Sequence, residues 1–121
     1  MAHHSSRSLK WFASAIVAVA ALVTTAFFTV SWSIQSGINS ASEMALREQP
    51  GDQVLALIAF ANSGAQPFRE RTRAVWALGQ LRDRRALPVL ERHYTGDPCD
   101  HARGLCQKEL RKAINLIRRT P

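Results

Sequence analysis

The alternation of hydrophobic and polar positions divides the chain into one long apolar stretch and several shorter periods of helical spacing. The apolar stretch, residues 11–34, contains no charged side chain. Trp11 and Trp32 stand near its two ends, 21 positions apart, which is about 31 Å at the rise of an α-helix. This length matches the hydrocarbon core of a bilayer, and tryptophan is enriched at both membrane interfaces. The pattern therefore predicts one transmembrane helix over residues 11–34.

A cleaved secretory signal is the alternative interpretation of the same stretch. Such signals have an apolar region of about 7 to 15 residues, followed by a small-x-small cleavage site. Ser31 and Ser33 are small enough to permit cleavage after Ser33. The stretch is longer than a signal requires, and this favours an uncleaved signal anchor.

The charges beside the apolar stretch predict its orientation. Arg7 and Lys10 precede it, whereas the flank that follows holds Arg47 against three carboxylates. Basic residues close to a membrane segment stay in the cytoplasm. Residues 1–10 are therefore predicted to be cytoplasmic. The C-terminal domain is predicted to be extracytoplasmic, which means periplasmic in a Gram-negative bacterium.

Beyond the membrane segment, apolar runs of helical spacing end at glycine, proline or aspartate. Residues 35–42 are small and polar and are expected to form a linker or a frayed helix. Asp52 and Asp83 are placed to cap helices. The run after Asp52 carries no charge, which indicates core packing or, alternatively, contact of Leu55 or Phe60 with a membrane or a protein. The predicted helices cover about residues 40–49, 53–61, 67–81 and 84–94, and Tyr94 in the last of them is expected to point inward.

Ten positions between residues 71 and 94 share a pattern that resembles HEAT-like repeats of the short type found in phycobilisome lyases. They are Arg71, Ala74, Ala77, Leu78, Gly79, Leu81, Asp83, Ala86, Pro88 and Leu90. The resemblance implies an all-α fold, with a short α-solenoid of helical hairpins over residues 43–121. It also implies that the arginine and aspartate fix the two antiparallel helices, that the glycine lets them approach, and that the proline lies early in the second helix.

Weaker copies of this repeat flank it. Val54 corresponds to Ala86 at an offset of 32 residues, and Ala74 to Ala113 at an offset of 39, so the third unit follows an insertion. Fewer than three complete repeats are present, and single units do not bury their own apolar faces. A disulfide, self-association into a homo-oligomer, or a partner protein is expected to supplement the core.

Both cysteines, Cys99 and Cys106, fall in the inserted segment. Seven positions along one helix would separate them by roughly 10 Å, which is too far for a disulfide. A bond therefore requires Cys99 in a loop and a helix that begins near Asp100 or later. Free thiols are the second interpretation. The third is a zinc site that adds His101 and His93, although the spacing matches no established ligand signature.

The chain is basic, with 16 Lys and Arg against 9 Asp and Glu among 121 residues and a net charge of +7. This charge suits an acidic protein, anionic lipid or nucleic acid, of which nucleic acid fits an extracytoplasmic domain least. The sequence contains no phosphate-binding loop, serine elbow or paired acids. It therefore predicts no enzyme, and neither catalytic residues, cofactor nor metal.

These observations predict a membrane-anchored HEAT-like module that binds another protein or acts as a scaffold. The expected contact surface is the outer ridge of the second repeat helix, because such helices line the concave side of related repeats. The ridge consists of Arg84, Arg85, Glu91 and Arg92. Two alternatives stay open: a basic module that binds nucleic acid or anionic polymers, and an assembly subunit of a larger membrane complex.

Overall fold

A computed structural model describes residues 5–48 and 51–121, with side chains from Lys10 onward. All regular structure in these ranges is helical, which confirms the predicted all-α class. Residues up to Ser36 form one compact unit, and Gly37–Pro121 form a second. The helices are α1 (Ser5–Glu48), α2 (Gln53–Asn62), α3 (Phe68–Leu81), a 3₁₀ turn (Arg84–Ala86), α4 (Leu87–His93) and α5 (Gln107–Arg118).

The first unit is the N-terminal part of α1, and its large apolar side chains are exposed. Trp11 is 78% and Trp32 80% exposed. The hydroxyl groups of Thr25 and Ser33 donate to carbonyl groups four residues earlier, at 2.8 and 2.9 Å. By length and composition, α1 is able to cross a membrane. The predicted orientation rests partly on Arg7, whose side chain lies outside the described part of the chain. Residues 1–4 lie outside it as well.

The linker predicted for residues 35–42 and the separate helix predicted from about residue 40 are instead the continuation of α1. This segment contains a single glycine and no proline, so nothing in it ends a helix. Ile38, Ala41 and Ala45 lie on one helical face and are buried. The second unit accordingly begins at Gly37. Pro50, the predicted end of the helix, lies outside the described residues.

Asp52 begins α2 as predicted. Its carboxylate accepts hydrogen bonds from the backbone N–H groups of Val54 at 2.9 Å and Leu55 at 3.1 Å. The uncharged α2 is mainly a core helix, since Phe60 is 3% exposed. The expectation that Phe60 contacts a partner is therefore wrong. Leu55 is 53% exposed and remains on the surface.

One hydrophobic core joins the helices of the second unit. Leu57 of α2 and Leu90 of α4 are both fully buried and are 33 positions apart. The capping residues Asp52 and Asp83 are 31 positions apart. Both spacings lie within one residue of the predicted offset of 32. Ala74 and Ala113, matched at an offset of 39, are both buried.

Arg71 joins α3 to the preceding helix. Its Nε–H donates to the carbonyl of Ala61, near the end of α2, at 2.9 Å, and its guanidinium lies 5.3 Å from the centre of the Phe68 ring. Burial lowers the pKa of Arg71. The arginine therefore satisfies a carbonyl left free at the end of α2, whereas the resemblance implied a bond within the α3–α4 hairpin.

Gly79 permits a close approach between α3 and α5. A Cβ atom added there would lie 2.8 Å from Cα and 2.9 Å from Cβ of Ala113. The resemblance implied that this glycine accommodates the second helix of its own hairpin. The structure corrects this, because the neighbour is the first helix of the next repeat. Pro88 occupies the first turn of α4, as implied.

Candidate interaction surface

Arg85, one of the four ridge residues, is held by two carboxylates. Its guanidinium lies 2.7 Å from Asp83 and 3.1 Å from Asp52, and Asp83 also accepts from the Arg85 backbone N–H. Hydrogen bonds from Arg85 lower the pKa of Asp83. The pKa of Asp52 is lowered first by the Leu55 N–H and then by Arg85. Arg85 thus connects the start of α2 to the start of the 3₁₀ turn that leads into α4.

The other three ridge residues are exposed, and two of them contact the C-terminal end of the chain. Arg84 donates to the backbone carbonyl of Thr120 at 3.3 Å, and Glu91 pairs with Arg118 at 2.7 Å. Arg92 makes no ion pair within residues 51–121. The structure therefore brings Arg84 and Glu91, but not the whole predicted ridge, together with the C-terminal end of the chain.

Sequence reasoning missed the contribution of α5 to this surface. An open pocket of about 460 Å³ lies between α4 and α5, and Tyr94, Arg111 and Arg118 contribute to its wall. Tyr94, which was expected to point inward, is 38% exposed because α4 ends at His93. The sequence signal was the amphipathic run of α5, which buries Leu110 and leaves its basic residues in solvent.

His93 contacts the end of α2. Its Nε2 lies 3.0 Å from Oδ1 of Asn62, at the end of α2. Burial, followed by the charges of Arg71 and Arg92, lowers the pKa of His93. Within the described residues, no group of three or more His, Cys, Asp or Glu side chains is placed to hold a metal ion.

The two cysteines meet at the start of α5. Cys99 lies in the loop that precedes the helix, and Cys106 is the N-cap residue of α5, which begins at Gln107. A disulfide was expected to require Cys99 in a loop and a helix that begins near Asp100 or later, and the structure meets both requirements. Both residues are free thiols in this structure, Cys99 exposed and Cys106 buried.

Helices paired in hairpins, stacked in register and joined by a common core define the helical-repeat class of proteins. Residues 70–94, from α3 to the end of α4, match the family of the PBS lyase HEAT-like repeat. The repeat predicted at residues 71–94 is therefore confirmed. Comparisons with curated proteins and with solved structures find no match to this chain. The repeat indicates a helical protein-interaction module.

Lowering the pH from about 7.5 to about 5.5 should destabilise the fold through His93. Its pKa is lower in the folded chain than in the unfolded chain, so the unfolded chain binds the proton more readily, and stability is lost as the pH falls below about 6.5. Asp52 and Asp83, whose pKa values are lowered, lose their stabilising effect only at lower pH. Urea unfolding followed by circular dichroism should show this slope, and His93→Gln should flatten it. An unchanged slope in the variant would contradict this assignment.

Proposed function

We propose that this protein is a membrane-anchored, HEAT-like interaction module whose helical domain lies outside the cytoplasm and binds an acidic protein. The observation that carries the proposal is the combination of a fully exposed apolar helical segment with a HEAT-like repeat that presents a basic surface. The first part supplies the anchor, and the second supplies the binding surface.

The anchor is argued from the exposure of the apolar side chains of α1. Large patches of apolar surface on soluble proteins are covered by a partner or a membrane. Phe28 is 72% exposed, and most of the other large apolar side chains of residues 11–34 are exposed to a similar degree. A lipid environment also explains why Thr24, Thr25 and Thr29 bond to carbonyls of their own helix, since no water is available there.

The binding surface is argued from charge and position. Arg84 and Arg92 are exposed, and neither pairs with a carboxylate in the described part of the second unit. Arg111 extends the positive surface at the pocket between α4 and α5, whereas Arg118 is paired with Glu91. An acidic partner would meet arginines whose planar guanidinium groups suit paired hydrogen bonds to carboxylates. Arg85 is excluded from this role, because Asp52 and Asp83 already hold it.

Reversing the two ridge charges that lack an ion pair among the described residues should weaken partner binding without unfolding the domain. In the double variant Arg84→Glu/Arg92→Glu, an acidic partner loses two attractive contacts and gains two repulsive ones, which should weaken its binding at least about tenfold. The measurement is quantitative crosslinking and co-purification from native membranes of the source cell. Arg69→Glu/Arg103→Glu is the matched control, because it changes the net charge equally at exposed positions elsewhere.

Equal recovery of the partner with the ridge variant and with wild type would exclude the ridge as the contact surface. Two other outcomes identify the alternatives. Recovery of nucleic acid or anionic polymer, with affinity that falls steeply as salt rises, would indicate a polyanion-binding module. Loss of the partner only when α1 residues 11–34 are replaced by an unrelated anchor would indicate an assembly subunit that acts through its membrane helix.

A further inference from the structure

The thiols of Cys99 and Cys106 lie together at the N-terminus of α5, although the two residues are seven positions apart. Cys106 is the N-cap residue of α5, and each thiol affects the pKa of the other. The backbone N–H of Lys108, in the first turn of α5, donates to Sγ of Cys99 at 3.2 Å. The first N–H groups of a helix have no partner within the helix and favour negative charge. Cys99 is therefore held where a thiolate is stabilised.

We infer that Cys99 and Cys106 form a thiol–disulfide exchange site for anionic disulfides, in which Cys99 attacks and Cys106 resolves. The Cys99 thiolate attacks one sulfur of the substrate disulfide, the S–S bond breaks, and the departing sulfur leaves as a thiolate that takes up a proton. The Cys106 thiolate then attacks Cys99 Sγ in the mixed disulfide and releases the second half of the substrate as a thiol. The substrate gains two electrons and two protons, and the pair becomes a Cys99–Cys106 disulfide.

The two sulfurs differ in a way that suits these roles. Cys99 is exposed, whereas Cys106 is 6% exposed. Hydrogen bonds from the Cys106 thiol and from the Lys108 N–H lower the pKa of Cys99, while burial raises the pKa of Cys106. An accessible thiolate reacts first, and a shielded thiol beside it reacts only once the mixed disulfide has formed.

Gln107 keeps the cysteine loop in place. Its Oε1 accepts from the backbone N–H of Thr95 at 2.8 Å, and its Nε2 donates to the carbonyls of His93 at 3.1 Å and Leu105 at 3.3 Å. One side chain at the start of α5 thus holds the chain on both sides of Cys99. The loop that carries Cys99 is therefore held against the start of α5, where Cys106 lies.

The substrate class follows from the pocket beside Cys99. This open pocket has a volume of about 310 Å³, and its wall includes Tyr94, Asp97, Lys108 and Arg111. The two cations outnumber the one carboxylate, so the wall carries a net positive charge. Neither Lys108 nor Arg111 has an ion pair in the described part of the domain. A disulfide with carboxylates near its sulfur would gain attraction from both cations. Glutathione disulfide has this chemistry and is the probe for the test.

The experiment treats the reduced full chain in detergent with glutathione disulfide, alkylates the remaining thiols and follows intact mass. Wild type should lose two hydrogen atoms and keep no adduct. Cys106→Ser should accumulate one glutathione, because nothing resolves the mixed disulfide. Cys99→Ser should react roughly ten times more slowly than Cys106→Ser, because its remaining thiol is buried. Circular dichroism confirms that both single-cysteine variants are folded.

Three results would overturn the inference. The first is a wild-type chain that still carries two alkylated thiols after treatment with glutathione disulfide. The second is that the two folded single-cysteine variants form the glutathione adduct at equal rates. The third is that Cys106→Ser forms the adduct at the same rate after unfolding in urea. The substrate class has its own test in the Cys106→Ser background. Arg111→Glu should slow the reaction with glutathione disulfide several-fold and leave the reaction with neutral hydroxyethyl disulfide unchanged. The control variant Arg119→Glu should leave both reactions unchanged. Equal effects on both disulfides would refute the anionic preference.

Discussion

Replacing Gly79 with leucine should separate α3 from α5 and unfold most of the domain. Even the first added carbon would lie 2.8 Å from the backbone Cα of Ala113. A backbone atom cannot move aside as a flexible side chain does, so the two helices must shift apart. Overpacking typically costs about 1–3 kcal/mol and sometimes more. The core of α5, including fully buried Leu110 and Ile117, would be disturbed with it.

The smaller change Gly79→Ala measures the same contact with a folded protein. Alanine gains about 1 kcal/mol over glycine in a helix interior, so any net loss of stability must come from the clash with Ala113. Urea unfolding followed by circular dichroism should place Gly79→Ala below wild type and Gly79→Leu far below both. Gly64→Ala is the control, because a Cβ there meets nothing within 4 Å. A Gly79→Ala chain as stable as wild type would refute the close contact.

Local signals were sufficient to predict most of the helices and their first residues. Asp52 and Asp83 cap their helices as predicted, because a short carboxylate before an apolar run satisfies free N–H groups in any context. The repeat around Gly79 was also readable, since its aspartate caps a helix and its proline fits a first helical turn. These features depend on neighbours in sequence, and a sequence displays those neighbours directly.

Features that depend on distant neighbours were not predictable in the same way. The sequence suggested that Gly79 faces its own hairpin, whereas it faces Ala113 of the next one. It placed Tyr94 in the core, although the chain turns away from the helix there. It divided α1 at residue 35 because that segment is polar, yet polarity without a helix breaker does not end a helix. In each case the missing information was the position of a second element.

The roles of the ridge residues in the candidate surface also could not be distinguished from the sequence alone. Arg84, Arg85, Glu91 and Arg92 were grouped because helical spacing places them on one side. The structure distinguishes among them, since Arg85 is bound by two carboxylates and Glu91 is paired with Arg118 of α5. Only contacts between separate helices reveal which charges are available to a partner.

Introducing two arginines into the apolar segment should remove the protein from the membrane. Val19 and Leu22 lie in the middle of this segment and are 60% and 71% exposed. Arginine at the centre of a membrane helix costs about 2.5–3.5 kcal/mol, so Val19→Arg/Leu22→Arg should cost roughly twice that amount. Wild type should remain in the pellet after alkaline carbonate extraction, and the double variant should not. Val19→Ala/Leu22→Ala should remain in the pellet, because it removes side-chain volume without adding charge.

The same preparations test the proposed orientation and the alternative of a cleaved signal. In intact cells, a membrane-impermeant maleimide added after reduction should label wild type at the exposed Cys99, and Cys99→Ser should lose most of this label. Labelling only after lysis would place the domain in the cytoplasm and favour the polyanion-binding alternative. A mass that lacks residues 1–33 would identify the apolar segment as a removed signal. A wild-type chain released by carbonate would contradict membrane anchoring altogether, since an integral helix stays in the bilayer when surface contacts are disrupted.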